Sequence, residues 1–177
     1  FVHPNSDLRE LLSVEAVKLI VAINLKSKEP RPLGEVVDER SFVNAIVGLH
    51  ATGGSTNHML HLPAMAAAAG IKLTWEDFEA LSEVVPLLAR VYPNGHADVN
   101  EFHNAGGMNF IFQELISEGL LDTSANTSWG KTLADFIQKP EVKQSKLAWT
   151  SLRVKSQDES ILRSLERPFM KSGGIKV

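Results

Sequence analysis

Residues 50–58 read His50-Ala51-Thr52-Gly53-Gly54-Ser55-Thr56-Asn57-His58, and an apolar run from Met59 to Ala69 follows. Two adjacent glycines end one helix, because glycine takes positive φ without a steric penalty. Ser55, Thr56 and Asn57 are the residue types that cap the start of another. The stretch therefore predicts a helix, a tight turn and a second helix. A helix start carries unpaired N–H groups and the positive end of the dipole, so it suits a phosphate or a carboxylate. Gly54, Ser55, Thr56, Asn57 and His58 are on that ground the candidate residues for binding an anionic substrate. The same residues also suit a plain packing turn, and the stretch alone leaves both readings open.

Working outward, Asp38 is the expected N-cap of the helix before the turn, with Phe42, Val43, Ile46, Val47 and Leu49 as its apolar face. The helix after the turn is expected to run from about residue 56 to 69 and to end at Gly70. Pro63 lies inside it and removes one backbone hydrogen bond. Its alanine content and near absence of charge predict burial in the centre of a larger body.

Towards the N-terminus, Ser6 or Asn5 can cap a helix starting at Asp7. Leu8, Leu11, Leu12, Leu19, Ile20 and Ile23 recur at helical spacing and predict one buried stripe. Pro30 and Pro32 then impose a loop. Beyond the central pair of helices, Ile71-Lys72-Leu73 is a candidate short strand. Thr74 with Asp77 predicts a capped helix closed by Pro86, and residues 87–92 are compatible with a buried strand. Pro93-Asn94-Gly95 is a turn, and Asp98 caps a short helix broken at Gly106-Gly107. A further helix carries Met108, Ile111, Phe112, Leu115 and Ile116 and closes at Gly119. Residues 122–130 read as turn, and 131–138 as a short helix bounded by Pro140. Residues 147–149 and 151–154 are candidate strands, and no closing element is expected after residue 164.

The chain has 177 residues, enough for one real core, with 44% hydrophobic and 22% charged residues. A formal net charge of -3 argues against nucleic acid as a partner, and no apolar run reaches the roughly 20 residues a membrane helix needs. The chain opens on Phe1 with no signal-peptide pattern, which predicts an excised segment of cytoplasmic origin. There is no cysteine, so neither a disulfide framework nor thiolate ligation of a cluster is available. Of the six histidines, His58 and His61 are three apart on one helix face, without the third ligand a zinc site needs. No metal site is expected in the chain. His50 and His58 bracket the glycine turn as possible anion donors, and His96 and His103 flank Asp98. Asp98-Val99-Asn100-Glu101 reads as a cap and first turn, and Gly106-Gly107 as close helix packing.

Gly34-Glu35-Val36-Val37-Asp38 followed by 47–58 resembles the family of dihydroxy-acid and sugar-acid dehydratases. Leu81-Ser82-Glu83-Val84-Val85-Pro86, Val91-Tyr92-Pro93-Asn94-Gly95, Ala97-Asp98-Val99-Asn100 and Ala105-Gly106-Gly107-Met108 fit the same pattern in order. So do the opening Phe1-Val2-His3-Pro4-Asn5 and the closing Arg167-Pro168-Phe169 and Gly173-Gly174-Ile175. Within the family the pattern is most similar to the branch acting on 6-phosphogluconate.

The resemblance implies an α/β fold class, with this chain a helix-rich segment of a larger N-terminal α/β domain containing few short strands. Residues 1–165 would be the later part of that domain, and 166–177 the lead-in to a C-terminal domain. It implies a hydro-lyase, acting as a homodimer, that converts 6-phospho-D-gluconate to 2-dehydro-3-deoxy-6-phosphogluconate and water, the reaction of the Entner–Doudoroff pathway. It implies an iron–sulfur cluster (4Fe-4S) whose iron assists loss of hydroxide, together with a divalent cation. Their ligands, and the serine that removes the proton, would fall outside these residues, so no catalytic residue is expected here and the segment alone should be inactive. Two alternatives stand beside this reading: a family member acting on dihydroxy acids or other sugar acids, and a non-catalytic helical binding module.

Overall fold

The computed structural model describes residues 2–129, 133–151 and 153–175. Seven α-helices occur among them: α1 (Asp7–Ile23), α2 (Leu33–Val36), α3 (Glu39–Thr52), α4 (Asn57–Ala68), α5 (Trp75–Val84), α6 (Val99–Ala105) and α7 (Gly107–Ser117). A 3-10 turn, Leu133–Phe136, precedes an antiparallel hairpin of β1 (Gln138–Lys143) and β2 (Lys146–Ser151). This is the helix-rich α/β segment the sequence predicts.

The helix ahead of the glycine turn organises the rest. Asp38 caps α3 by accepting from the Ser41 N–H at 2.9 Å, and the Arg40 guanidinium pairs with the same carboxylate at 2.6 Å. Burial alone would raise the Asp38 pKa. The Ser41 N–H, the Arg40 guanidinium and the Ser41 hydroxyl outweigh it and hold the carboxyl below its ordinary value. A carboxylate held low in the folded state stabilises the fold above its unfolded pKa, and that stability disappears as pH falls through the folded value. Asp38→Ala is therefore expected to cost about 1 kcal/mol near neutrality. In urea titrations the gap between variant and parent should close as pH falls below about 4.

Two apolar clusters share α3. Val47 and Ala51 face one, with Leu88, Ala89, Ile111, Leu115 and Leu162. Phe42, Ile46 and Leu49 face the other, with Leu62, Ala66, Phe78 and Ile175. Full burial of a side chain such as Ile46 contributes about 1.5–3 kcal/mol. Val43, expected on the buried face, is instead 41% exposed. With clusters on two sides, α3 keeps only a narrow edge for solvent.

Residues 87–91 run through the first cluster, to which Leu88, Ala89 and Val91 belong. They are extended but make single bridges rather than a ladder: Leu87 to Met170, Ala89 to Leu162 and Val91 to Ala97. The tail after residue 164, read from sequence as open-ended, is the element that closes this layer. The Phe169 N–H donates to the Leu87 carbonyl at 2.9 Å, the Gly173 N–H to Ser82 at 2.7 Å and the Gly174 N–H to His50 at 3.0 Å. Ile175 then fills the second cluster.

Other expectations need correction. Helix α1 forms with Ser6 as its cap, yet none of its residues is buried, and Ile20 is 65% exposed. The two hairpin strands pack against it and leave Val14, Val17 and Val21 exposed as well. Helix α4 runs through Pro63 and within this chain buries Leu62 and Ala66, with Leu60 and Met65 exposed; its expected burial concerns a larger body than these residues. Residues 71–73 form no strand. The partner of the strand expected at 147–149 is 138–143, the stretch where a helix end and a proline boundary were expected. Pro140 is tolerated because a two-stranded hairpin has only edges. Gln144 and Ser145, both at positive φ, form its two-residue turn. Lys131 and Thr132, in the expected helix 131–138, lie outside the described residues, as does Leu152 in the expected strand 151–154.

Candidate functional site

The turn between α3 and α4 is built by its glycines. Gly53 takes the left-handed conformation, φ 59° and ψ 42°, and its N–H closes α3 on the Leu49 carbonyl. The Gly54 N–H donates to that same carbonyl at 3.2 Å, so it is spent on ending the helix. Ser55 precedes Thr56, the N-cap of α4: the Ser55 hydroxyl accepts from the Asn57 N–H at 3.3 Å and its carbonyl from the His58 N–H at 3.0 Å. The N–H groups of Ser55 and Thr56 make no hydrogen bond among the described residues, nor does the Thr56 hydroxyl or the Asn57 amide. Gly54 and Ser55 are half-buried, and Thr56, Asn57 and His58 are exposed. The turn thus presents two main-chain donors, one hydroxyl and one amide to the outside, a set that suits one oxyanion.

The close approach that the glycines permit is used within the chain. A Cβ on Gly174 would sit 2.6 Å from the Gly53 Cα, and one on Gly53 would overlap the Asn94 amide. The tail therefore lies directly on the turn, glycine against glycine.

The two bracketing histidines differ. His50 is fully buried, with Nε2 2.9 Å from the Phe78 carbonyl oxygen. A carbonyl only accepts, so Nε2 carries the proton and spends it there. His50 is not a donor at the turn. His58 donates Nδ1–H to the Ser55 carbonyl at 3.0 Å, so its Nε2 becomes a donor to an anion only when the ring is protonated. His58 and His61, expected to be partly buried, are both exposed, as are His96 and His103. No group of three or more His, Cys, Asp or Glu side chains assembles among the described residues.

Beside the turn lies a cleft of about 450 Å³ between α3, α7 and the loop 121–127. Leu49, Leu62, Met108, Phe112, Leu121 and Leu133 supply its apolar walls. Gly54 and His58 reach it; Ser55, Thr56 and Asn57 do not, and among the described residues no lysine or arginine lines it. Its polar residues are committed elsewhere. Asn44 exchanges two hydrogen bonds with the Asp122 backbone, at 2.9 and 2.8 Å, and the Asn126 amide donates to the Glu35 carbonyl at 2.9 Å. Sequence reading missed this cleft. Its signal was the stripe of small residues Ser41, Ala45, Gly48 and Thr52 along one face of α3. The expected cap at Asp98 forms with Glu101 as a full capping box. Gly106 packs as expected: a Cβ there would sit 3.0 Å from Phe110 and 3.2 Å from Val154.

A family model described as dihydroxy-acid/6-phosphogluconate dehydratase N-terminal matches residues 1–136. A phosphogluconate dehydratase of Rhizobium meliloti is 48% identical over 178 residues, covering 100% of this chain and 29% of that protein. One of Pseudomonas aeruginosa is 46% identical over 177 residues, covering 100% of this chain and 29% of that protein. The mitochondrial dihydroxy-acid dehydratase astD of Aspergillus terreus is 34% identical over 175 residues, covering 98% of this chain and 27% of that protein. The chain thus spans less than a third of the length of these relatives. With the family pattern running from residue 1 to residue 136, through the turn that joins α3 to α4, the chain belongs to the dihydroxy-acid/6-phosphogluconate dehydratase family.

Proposed function

We propose that this chain is the substrate-binding part of a hydro-lyase that converts 6-phospho-D-gluconate to 2-dehydro-3-deoxy-6-phosphogluconate and water. The observation that carries this reading is similarity over the whole chain, 46–48% to proteins named phosphogluconate dehydratase against 34% to one named dihydroxy-acid dehydratase. That last relative favours a second reading, a family member acting on dihydroxy acids. Residues 1–165 belong on this proposal to the N-terminal domain of the longer enzyme and 166–177 lead out of it. On the same proposal the enzyme is a cytoplasmic homodimer. Among the described residues no helix is long and apolar enough to cross a membrane.

The family resemblance implies an iron–sulfur cluster and a divalent cation, and the residues here fit neither. The sequence holds no cysteine, and no candidate group of metal ligands forms among the described residues. No bond-making or bond-breaking step is assigned to this chain. Its part is binding: the Ser55 and Thr56 N–H groups, the Thr56 hydroxyl, the Asn57 amide and the His58 ring face one anionic end of the substrate, on the rim of the cleft that Gly54 borders.

Anaerobic assay of the full-length enzyme on 6-phosphogluconate and on 2,3-dihydroxyisovalerate tests the substrate. Turnover of the phosphorylated acid alone is the expected result, and turnover of the branched-chain acid alone overturns it. Ser55→Ala with Thr56→Ala is expected to raise KM about tenfold, the value of one hydrogen bond to a charged group. An unchanged KM and kcat would make the turn a packing feature only.

A further inference from the structure

Away from the glycine turn, Arg90 and Arg163 converge on one aromatic ring. The Arg90 Cζ lies 4.9 Å and the Arg163 Cζ 4.3 Å from the centroid of Phe169. We propose that these two guanidinium groups, held on Phe169, form a binding site for a phosphate-class oxyanion.

The main chain fixes all three residues. The Arg90 N–H donates to the Ile161 carbonyl at 2.8 Å, the Arg163 N–H to Leu88 at 2.9 Å and the Phe169 N–H to Leu87 at 2.9 Å. Residues 87–90 are thus flanked by 161–163 and by 169–170, and each flank delivers one member of the cluster. Stacking on a ring leaves the N–H edges of a guanidinium turned outward, where its fork matches a phosphate or carboxylate. The Arg163 side chain is pinned further by Nε donating to the Glu159 carbonyl at 3.0 Å, which leaves its two terminal nitrogens for a ligand.

Charge makes the arrangement unusual. Two like charges on one ring repel, and neither arginine forms an ion pair with a carboxylate among the described residues. The nearby acids are engaged. Glu159 pairs with Arg167 at 2.9 Å, and Asp158 accepts from the Ser160 hydroxyl and N–H at 2.6 and 2.8 Å. Arg40 and Arg167, by contrast, each hold a carboxylate. A bridging oxyanion would neutralise the repulsion and accept from both forks. Arg90 is exposed and Arg163 half-buried, so the site is open to ligand.

The test is a titration of the full-length enzyme with inorganic phosphate, followed by calorimetry at low ionic strength. Arg90→Gln with Arg163→Gln is expected to weaken phosphate binding tenfold or more. Phe169→Leu, which keeps both charges but removes the platform, is expected to weaken it less, with the melting temperature tracked in each variant. A parent enzyme that does not bind phosphate, or variants that bind it as the parent does, would overturn the site. The source of the phosphate is read separately. If the double variant raises KM for 6-phosphogluconate, the ligand is the phosphoryl end of the substrate. If KM holds while inhibition by inorganic phosphate is lost, the ligand is free phosphate. Both results support the site. Because binding is measured directly, the site stands or falls independently of which sugar acid the enzyme dehydrates.

Discussion

Phe78→Ala is expected to destabilise the chain by about 3–5 kcal/mol, the largest loss of any single truncation in the second cluster. Phe78 is completely buried and packs with Phe42, Ile46, Leu49, Leu62, Ala66 and Ile175. These residues come from α3, α4, α5 and the tail, so removing the ring opens a cavity where four parts of the chain meet. The backbone carbonyl of residue 78 survives the substitution, and with it the acceptor for His50 Nε2. The loss is therefore packing and not the hydrogen bond. Trp75, whose ring centroid is 5.7 Å from that of Phe78, is 45% exposed, and Trp75→Ala should cost clearly less. Urea unfolding of the two variants checks the pair. A Phe78→Ala cost below about 1 kcal/mol would mean that this cluster is not a packed core. Leu49 and Leu62 belong to the cluster and also wall the cleft, so the same substitution loosens the floor beside the turn.

What the sequence made legible follows from the range of the forces involved. Helix ends are set by neighbours within four residues, and the caps at Asp38, Thr74 and Asp98 all form where expected. The Gly53 break is equally local, since its positive φ needs only the absence of a Cβ. Pairing across distance was not legible. The tail at 169–174 bonds to residues 50, 82 and 87 through main-chain groups, which carry no side-chain signature. The hairpin was half-read for the same reason: its second strand shows β-type residues, while Gln138, Lys139, Pro140 and Glu141 disguise the first. Burial of α1 failed differently. Its apolar spacing is real, but the hairpin strands packed against it leave Val17, Ile20 and Val21 exposed, and periodicity does not say what a face packs on. At the candidate site, the residue types at the turn were legible. Their division between the cleft (Gly54 and His58) and the exposed rim (Thr56 and Asn57) was not, because it depends on how α7 and the 121–127 loop lie against α3.

Gly95→Ala is expected to cost about 3 kcal/mol, at the upper end for overpacking. Gly95 has no positive φ, so conformation is not what demands glycine there. Space is. A Cβ would overlap the Arg90 carbonyl group and sit 2.7 Å from the Arg90 Cα, and main chain cannot swing aside as a flexible side chain would. The 93–95 turn, held by the Asn94 and Gly95 N–H groups on the Val91 carbonyl at 2.9 Å each, would have to open. Asn94 packs on Gly53, so the strain passes to the α3–α4 turn, and in the full-length enzyme KM should rise along with the loss of stability. Two other glycines separate the causes. Gly119 sits at φ +69° with nothing within 4 Å of an added Cβ, so alanine meets only the left-handed penalty of about 1–2 kcal/mol. Gly48, inside α3, has neither problem, and alanine there should stabilise by about 0.5–1 kcal/mol. Urea unfolding should therefore rank the variants with Gly95→Ala least stable, then Gly119→Ala, and Gly48→Ala above the parent. Equal shifts at all three positions would instead place the effect in the unfolded chain, where glycine contributes the same entropy wherever it stands.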